Sequence, residues 1–415
     1  MIADNLGSPP ERSSLRRVLR SQSFRRFLAA RTISQWGDTF SSVAIVILVF
    51  RLTGSGVKVG VAIAFEIVPV LLFGFVAGVV VDRVSRQRIM VVADLARAAI
   101  ALVLVLFSGH LIVIYASAFG LSAFSVFFNP AASSVVPVLV PDEADVVGAN
   151  SAIWSSAVLS QIVLAPVAGG LVVLAGAAPA FAINASSFVV SAVLLSRLRL
   201  PSAPARTPVR RIEEVKEGLR TIRDSRFLST LAVVQALAAL SAGATSALLV
   251  VLAERHLRVG GGQFGLLIGA IGVGAGLGPL VLNRFVHNVR RAGWLFGPYV
   301  LRGLVDLVLT VTTNLGLAAG ALAIYGVGTS TGNITYNTVL QTGVDDSVRG
   351  RVFAFYDIVW QSSRLVSIVI GGVLADAYGI TVVYALGGSL LLAAGVIGLL
   401  RAGPAPLVIA PSRSG

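Results

Sequence analysis

Long apolar stretches separated by short polar ones fill most of this 415-residue chain. A helix needs about 20 mostly apolar residues to cross the hydrocarbon core of a membrane. The pattern therefore predicts twelve membrane-spanning helices, and it lacks the short alternating segments of a membrane β-barrel. The predicted spans cover residues 29–50, 59–81, 89–108, 111–133, 149–173, 177–197, 227–252, 263–285, 293–313, 316–339, 351–375 and 380–400.

The distribution of arginine orients these spans. Arginines are concentrated in residues 1–28, in the link 198–226 and in the loops after spans two, eight and ten, all on one side. The other side carries few basic residues. Because short basic loops are retained in the cytoplasm, we predict that both termini and the link are cytoplasmic and that the chain lies in the inner (plasma) membrane.

The link divides the chain into two parts of six spans each. It opens with the flexible sequence PSAPARTP, and apolar residues from Ile212 to Ile222 then recur at helical spacing between charges. This pattern predicts an amphipathic helix on the inner membrane surface. The predicted organisation is a basic tail, a six-helix bundle, the link, a second bundle and a C-terminal tail, at residues 1–28, 29–197, 198–226, 227–400 and 401–415.

The two parts are similar in sequence. A shift of 200 residues brings Arg26-Phe27-Leu28 onto Arg226-Phe227-Leu228, and a shift of 202 brings Gly169-Gly170 onto Gly371-Gly372. Several matches at nearly one offset favour duplication over coincidence. Two similar bundles imply a pseudo-two-fold axis, with a binding site between them near the membrane midplane.

Composition supports a membrane protein and excludes several other classes. Only 13% of the residues are charged, against about 25% in soluble proteins, and 56% are hydrophobic. The net charge of +14 comes from basic residues between apolar segments, so membrane topology explains it better than nucleic-acid binding. The chain has no cysteine, its three histidines are scattered, and it has no GxxxxGK[ST] phosphate loop. We therefore predict no metal, no other cofactor and no enzymatic activity.

The second span ends in a charged segment, residues 78–88, GVVVDRVSRQR. This segment resembles the signature that members of the major facilitator superfamily carry between helices two and three. Its arginines can hold the loop at the anionic leaflet, and Asp82 can accept hydrogen bonds from a helix N-terminus. The resemblance implies that this helix belongs to the second bundle, which would make the segment a latch on the cytoplasmic side. A plain stop-transfer signal is the alternative. The latch residues are Gly78, Asp82, Arg83, Arg86 and Arg88.

Other stretches indicate a branch of that superfamily. Residues 34–38 (SQWGD), 52–55 (LTGS) and 217–219 (EGL) resemble macrolide-efflux and enterobactin-exporter-like members. The stretch APVAGG at 165–170 resembles a motif of drug/proton antiporters, in which Ala165 is usually glycine. Pro166, Gly169 and Gly170 carry that resemblance.

Acidic residues within the spans are the candidates for proton coupling, because ionisable groups in lipid are costly and often functional. Asp38 lies near mid-depth of span one, on the same helical face as Gln35. A carboxylate in a poorly hydrated cavity can hold a proton until the cavity opens to the other side. We predict Asp38 as the proton carrier and Glu66 as a second acid. The alternatives are an Asp38–Arg31 structural pair and a Glu66 side chain that points outward.

The remaining polar residues within the spans are candidates for substrate binding or for helix packing. Asp357, Gln361 and Arg364 lie at helical spacing on one face of span eleven, and Asp357 and Arg364 can pair. The acid–arginine pairs Asp94/Arg97 and Arg302/Asp306 are instead predicted to be structural, because a neutralised pair carries charge in lipid at least cost. The amides can contact substrate or join helices, and they are Gln35, Asn129, Gln161, Gln235, Asn333 and Asn337.

Together these features predict a proton-driven exporter of amphipathic small molecules that works by alternating access. It would act as a monomer in the lipid bilayer. Two alternatives remain open: an uptake symporter of the same fold, and a transport-inactive scaffold or receptor. The motif at 165–170 favours export over uptake, and the short link leaves little surface on which a scaffold could bind a partner.

Overall fold

Twelve long helices make up most of the described part of the molecule. The structure is a computed structural model, and it describes residues 13–140, 143–198, 222–285, 291–344 and 346–402. These residues contain no β-strand, and the predicted fold class is confirmed. A short basic helix, Ser13–Arg20, precedes the long ones. The long helices are α1 Gln22–Thr53, α2 Gly56–Arg83, α3 Arg86–Phe107, α4 Leu111–Leu139, α5 Glu143–Ala175, α6 Ala178–Ser196, α7 Arg226–Ala247, α8 Gly261–Phe285, α9 Ala292–Val311, α10 Leu315–Gly343, α11 Asp346–Tyr378 and α12 Ile380–Ala402.

Most of these helices can cross a membrane. Within the described residues, eleven are long and apolar enough to do so, and α5 contributes a shorter apolar stretch, Ser160–Ala175. Several helices extend beyond the predicted spans. For example, α1 begins at Gln22 rather than residue 29, because an apolar pattern marks only the lipid-embedded part of a helix.

Local sequence explains where the first helices begin and end. Ser21 precedes α1, and its hydroxyl accepts a hydrogen bond from the backbone N–H of Phe24. Ser55 caps α2 in the same way, accepting from the N–H of Lys58. Between these helices Gly54 adopts a left-handed conformation with φ 62°, which glycine tolerates without strain. The stretch 52–55 thus ends one helix and starts the next.

The connection between α7 and α8 is more irregular than predicted. The apolar pattern predicts a span that continues to residue 252, but α7 ends at Ala247. A short turn, Leu249–Val251, and a π-helical segment, Leu252–His256, follow it. The predicted amphipathic helix of the link lies outside the described residues, except for residues 222–224, which are helical.

Helix packing follows the predicted duplication. Helix α1 packs against α5 and α6, and α7 packs in the same way against α11 and α12. The pairs α2–α4 and α3–α6 likewise recur as α8–α10 and α9–α12. The halves meet mainly through α2 with α11 and through α5 with α8, which correspond under the same symmetry. The molecule therefore consists of two pseudo-symmetric six-helix bundles with four helices at their interface.

The halves approach closely at one face of the molecule. We call the face where α1 begins and α12 ends the terminal face, and the face marked by Gly54 and Gly379 the far face. A Cβ added to Gly265 of α8 would lie 2.5 Å from the carbonyl oxygen of Ala165, and one added to Gly60 of α2 would lie 3.1 Å from Ile368. Small residues permit such approach between helices in membranes.

Hydrogen bonds reinforce this contact between the halves at the far face, where α2 begins and α11 ends. Asp376, near the end of α11, accepts hydrogen bonds from the Ser55 hydroxyl at 2.6 Å and from the backbone N–H of Gly56 at 2.8 Å. Arg255 donates to Asp376 at 3.2 Å and also to the carbonyl oxygen of Gly54. An acid of the second half therefore caps the N-terminus of α2 in the first half. We call these five residues the far-face cluster.

Candidate functional site: a central cavity between the two halves

A cavity of about 740 Å³ lies between the two bundles, and residues of both line it. Its volume falls within the range of roughly 300–1,000 Å³ that holds drug-sized ligands. Apolar side chains such as Val43, Ile67 and Phe264 form much of the wall. Seven predicted site residues also line it: Gln35, Asp38, Glu66, Gln161, Asn333, Gln361 and Arg364.

Asp38 faces this cavity. Its side chain is 42% exposed, although it lies on a helix surrounded by other helices. One carboxylate oxygen lies 3.9 Å from a guanidinium nitrogen of Arg97 on α3. Its ion-pair partner in the described part of the chain is thus Arg97 and not Arg31, the partner considered from the sequence.

Glu66 lies on α2 of the first half, where its side chain lines the cavity. Its backbone carbonyl accepts a hydrogen bond from Ser122 of α4, which ties α2 to α4 at this depth. Arg364 of α11 enters the same cavity from the second half and interacts electrostatically with Glu66. The cavity therefore contains two carboxylates from one half and a guanidinium from the other.

A second, smaller cavity of about 200 Å³ lies beside the first, within the second half. Four predicted residues line it, namely Gln235, Asn333, Asn337 and Asp357. Its other lining residues are aromatic: Tyr336, Phe353, Tyr356 and Trp360.

The polar stripe predicted on α11 is divided between these two cavities. Asp357 lines the smaller one, whereas Gln361 and Arg364 line the larger one. No ion pair joins Asp357 to Arg364 among the described residues, so the pairing considered for them from the sequence does not form in this structure.

Two of the predicted amides differ in their surroundings: Gln235 lines the smaller cavity but also joins two helices, and Asn129 lines neither cavity. Gln235 is 7% exposed, and its side-chain oxygen accepts a hydrogen bond from the Tyr299 hydroxyl at 2.7 Å. This contact joins α7 to α9, which corresponds to the alternative role that the sequence left open. Asn129 is exposed and is not among the residues that line either cavity.

The latch segment contacts its own half in this structure. Arg86 donates to the carbonyl oxygen of Ser134 at 3.2 Å. Gln87 donates to the carbonyl oxygens of Leu195 and Leu198 at the end of α6. These contacts anchor the start of α3 to α4 and α6.

Two further latch residues lie at the surface. Arg83 and Arg88 are exposed. Gly78 is part of helix α2. The Asp82 side chain lies outside the described part of the structure, and so does the helix cap predicted for it.

The antiporter-type motif lies at the interface between the halves. A Cβ added to Gly269 of α8 would come within 2.8 Å of the Pro166 ring. Gly169 is buried, whereas an added Cβ at Gly170 would meet nothing within 4 Å. Pro166 is therefore the motif residue that packs directly against the glycine-lined face of α8.

The cavity is closed toward the far face. The far-face cluster and the glycine contacts join the halves there, and wall residues such as Val43 and Ile45 are buried. Nearer the terminal face, Asn337 and Asp357 are exposed. The structure therefore represents a state that is open on the terminal side.

Each half also buries an arginine on its third helix, α3 or α9. Arg97 pairs with Asp94, as predicted from their spacing. Arg302 instead donates to the Tyr325 hydroxyl at 2.8 Å, and no ion pair joins it to Asp306 in the described residues. Arg302 and Asp306 interact electrostatically, but they make no direct polar contact, because the guanidinium reaches across to α10 and not along its own helix.

Comparison with known proteins identifies relatives of this architecture. Residues 13–406 match the MFS_3 family, described as transmembrane secretion effectors. The putative bacilysin exporter BacE of Bacillus amyloliquefaciens is 28% identical over 373 residues, covering 86% of this chain and 89% of that protein. The multidrug efflux pump Tap of Mycolicibacterium fortuitum is 28% identical over 361 residues, covering 83% and 87%.

Solved structures show the same fold at low sequence identity. The nucleoside transporter NupG (D323A mutant) superposes with a TM-score of 0.75 at 11% identity, covering 92% of this chain and 99% of that one. A bacterial homologue of the iron transporter ferroportin, in an inward-facing state, gives 0.72 at 16% identity, covering 92% and 98%. These relatives are transporters and not enzymes. This chain is therefore a multi-pass membrane transporter that belongs to the transmembrane secretion effector family of the major facilitator superfamily.

Proposed function

We propose that this transporter exports amphipathic small molecules by alternating access and that protons moving inward drive the export. The observation that carries the proposal is the central cavity, in which the carboxylates of Asp38 and Glu66 lie among apolar side chains between two separable halves. Two relatives are named as an exporter and as a multidrug efflux pump, which favours export over uptake.

The arginine bias of the sequence gives the direction. It assigns the terminal face, with both chain termini, to the cytoplasm of a cell whose plasma membrane contains the protein. The state open on the terminal side would then admit cargo from the cytoplasm or the inner leaflet. A single chain encloses the whole cavity, so a monomer suffices. The motifs at 34–38 and 52–55 support placement near the macrolide-efflux and enterobactin-exporter-like branch.

The cavity suits a cargo with an apolar body and a positive charge. Its apolar wall can hold the body, while the two carboxylates of Asp38 and Glu66, which outnumber the guanidinium of Arg364 among the described lining residues, attract a cation. Protons and a cationic cargo compete for the same carboxylates, because neutralising the acid removes its attraction for the cation. Once the far face opens, a proton from outside would displace the cargo and then travel inward on the carboxyl group.

Transport by the purified protein in liposomes tests this proposal. Ethidium is a suitable probe because it is fluorescent, amphipathic and cationic. A pH gradient imposed across the membrane should drive ethidium toward the acidic side, and a proton ionophore should abolish that flux. Asp38→Asn should reduce the gradient-driven flux to the level of empty liposomes. Asp224→Asn is the matched control, because Asp224 is an exposed acid outside the cavity.

Each of the other outcomes selects a different function. Ethidium that moves with the protons, from the acidic side to the basic side, would indicate uptake by symport. Gradient-driven flux that persists in Asp38→Asn would remove Asp38 from the mechanism. An absence of gradient-driven flux across a panel of cationic and neutral amphiphiles would favour the scaffold or receptor.

A further inference from the structure

The proton-carrying acid has a buried partner that the sequence assigned to helix packing. Arg97 of α3 is 3% exposed and lies behind Asp38 as seen from the cavity. One of its terminal nitrogens lies 3.9 Å from the Asp38 carboxylate. The other donates a hydrogen bond to Asp94, whose side chain is fully buried. One guanidinium is thus shared between an acid in contact with the cavity and an acid sealed from it.

The surroundings hold the guanidinium in place. Its central carbon lies 4.5 Å from the ring centre of Phe128 on α4 and 4.3 Å from that of Phe188 on α6. It also donates to the Ser125 hydroxyl at 3.3 Å. A guanidinium stacked between two rings has little freedom to turn, because its plane is fixed on both sides. Arg97 therefore remains beside Asp38 and does not follow it into the cavity.

Asp38 belongs to a set of four charged groups, and a fifth, Glu66 of α2, interacts with it electrostatically from another helix that lines the cavity. Arg31, on the same helix, interacts electrostatically with Asp38, Asp94 and Arg97. Helices α4 and α6 contribute aromatic and hydroxyl groups to this cluster but no charge. Two arginines and two aspartates balance when all are ionised, so a proton on Asp38 leaves the cluster with a net charge of +1. Charges interact more strongly away from water, so this change is felt by all four groups.

We propose that Arg97 and Asp94 are positioning residues that set the pH at which Asp38 gains and loses its proton. Arg97 stabilises the ionised carboxylate of Asp38. Asp94 limits that effect, because it binds the other edge of the same guanidinium and adds a negative charge nearby. When Asp38 takes a proton from cavity water, its charge-based attraction to Arg97 ends, and Asp94 remains as the carboxylate in contact with Arg97. This inference rests on the proposed role of Asp38 as the proton carrier.

A purely structural pair would behave differently. If Asp94 and Arg97 served packing alone, replacing either would lower stability without moving the titration of Asp38 in a defined direction. The shared guanidinium predicts opposite shifts. Loss of Arg97 should raise the pH at which half of Asp38 is protonated, and loss of the Asp94 charge should lower it.

Infrared titration of the purified, lipid-reconstituted protein measures this directly. The C=O stretching band of a carboxylic acid appears on protonation, and the band that is missing in Asp38→Asn belongs to Asp38. We expect the midpoint of this band to move to higher pH by about one unit in Arg97→Gln and to lower pH by about one unit in Asp94→Asn. Arg97→Lys keeps the positive charge, so its midpoint should stay nearer to that of the wild type than the midpoint of Arg97→Gln.

The matched control is Arg302→Gln, which removes the corresponding buried arginine of the second half and should leave the Asp38 band unchanged. Shifts in the same direction for Arg97→Gln and Asp94→Asn, or no shift in either, would overturn the proposal. If Arg97→Gln does not fold, Asp94→Asn alone tests the proposal. In that variant, an upward shift of the Asp38 midpoint, or no shift, would contradict the proposal. The titration needs no cargo. If ethidium export fails but the Asp38 midpoint still shifts in opposite directions in the two variants, the proposed function is rejected and this inference is not.

Discussion

The two halves bury similar arginine clusters with different connections. Arg97 and Arg302 both lie on the third helix of their half, with exposures of 3% and 7%, and both contact an aromatic ring on the following helix. Arg97 has two carboxylate neighbours, and one of them, Asp38, faces the cavity. Arg302 donates to the neutral Tyr325 instead. The scaffold is duplicated, whereas the connection to the cavity is not.

The sequence offset of the repeat shows what the second half lacks. At the shift of 200 residues that aligns the starts of α1 and α7, Asp38 corresponds to Ala238, which is fully buried. Asp306, the acid near Arg302, is 1% exposed and one of its oxygens has no hydrogen-bond partner. Its side chain is thus sealed from the cavity in this structure. Duplication has kept two helix bundles, and the first places an acid, Asp38, between its buried arginine and the cavity.

The largest expected effect separates these two acids. Asp38→Asn should reduce proton-driven ethidium flux by far more than tenfold, a factor that corresponds to about 1.4 kcal/mol of activation free energy. Asp306→Asn should leave the flux within a few-fold of wild type, because Asp306 is sealed from the cavity. Rates in proteoliposomes, normalised to reconstituted protein, measure both. Equal losses of flux in the two variants would mean that Asp306 matters as much for transport as Asp38.

The second prediction concerns stability and compares the arginines themselves. Arg97→Met leaves two carboxylates without the cation that they share, so that Arg31 is the remaining positive charge of the cluster, and breaking a buried charged network in this way costs about 3–5 kcal/mol. Arg302→Met loses a hydrogen bond to a neutral hydroxyl, which costs about 1.5–3 kcal/mol for a charged donor, and removes a positive charge near a single acid, Asp306. Thermal unfolding in one detergent should therefore give a clearly lower midpoint for Arg97→Met. A lower midpoint for Arg302→Met would contradict the proposed difference between the clusters.

Sequence periodicity predicted the architecture well, for a physical reason. Each span must form its backbone hydrogen bonds within its own helix and present apolar side chains to lipid. The sequence pattern that marks a span is therefore local and strong. The contacts that define the site are not local. Arg97 reaches Asp38 across 59 positions of sequence, and Asp376 reaches Ser55 across 321. Spacing along one helix suggested Asp94 as the partner of Arg97, but it carried no information about the neighbouring helix. The same limit explains why the hydrogen bond from Arg302 to Tyr325 on the next helix was not predicted.

The third prediction tests how closely the halves meet at the far face. In Gly265→Ala the new methyl group would lie 2.5 Å from the Ala165 carbonyl oxygen, so the two backbones must separate. Overpacking of this kind costs about 1–3 kcal/mol, and it should favour the state open on the far side. Gly74→Ala is the matched control, because nothing lies within 4 Å of the added group. The chain has no cysteine, so spin labels introduced at Lys58 and Tyr378 report the opening directly. A closed far face in Gly265→Ala would show that α8 does not pack here during transport.

The smallest expected effect concerns the far-face cluster. At the arginine clusters the first half supplies the acid that faces the cavity, whereas at the far face the second half supplies the acid, Asp376. Its counterpart at a shift of 202 is Leu174, which is 88% exposed. Asp376→Asn keeps the shape but removes the charge that caps α2 and pairs with Arg255. Because both charged groups are partly exposed, we expect a shift of about 1 kcal/mol toward the far-open state. The same Lys58–Tyr378 label pair measures it as a several-fold larger far-open population. An unchanged population would mean that the glycine contacts alone close this face, and that charge in this protein acts at the cavity and not at its outer closure.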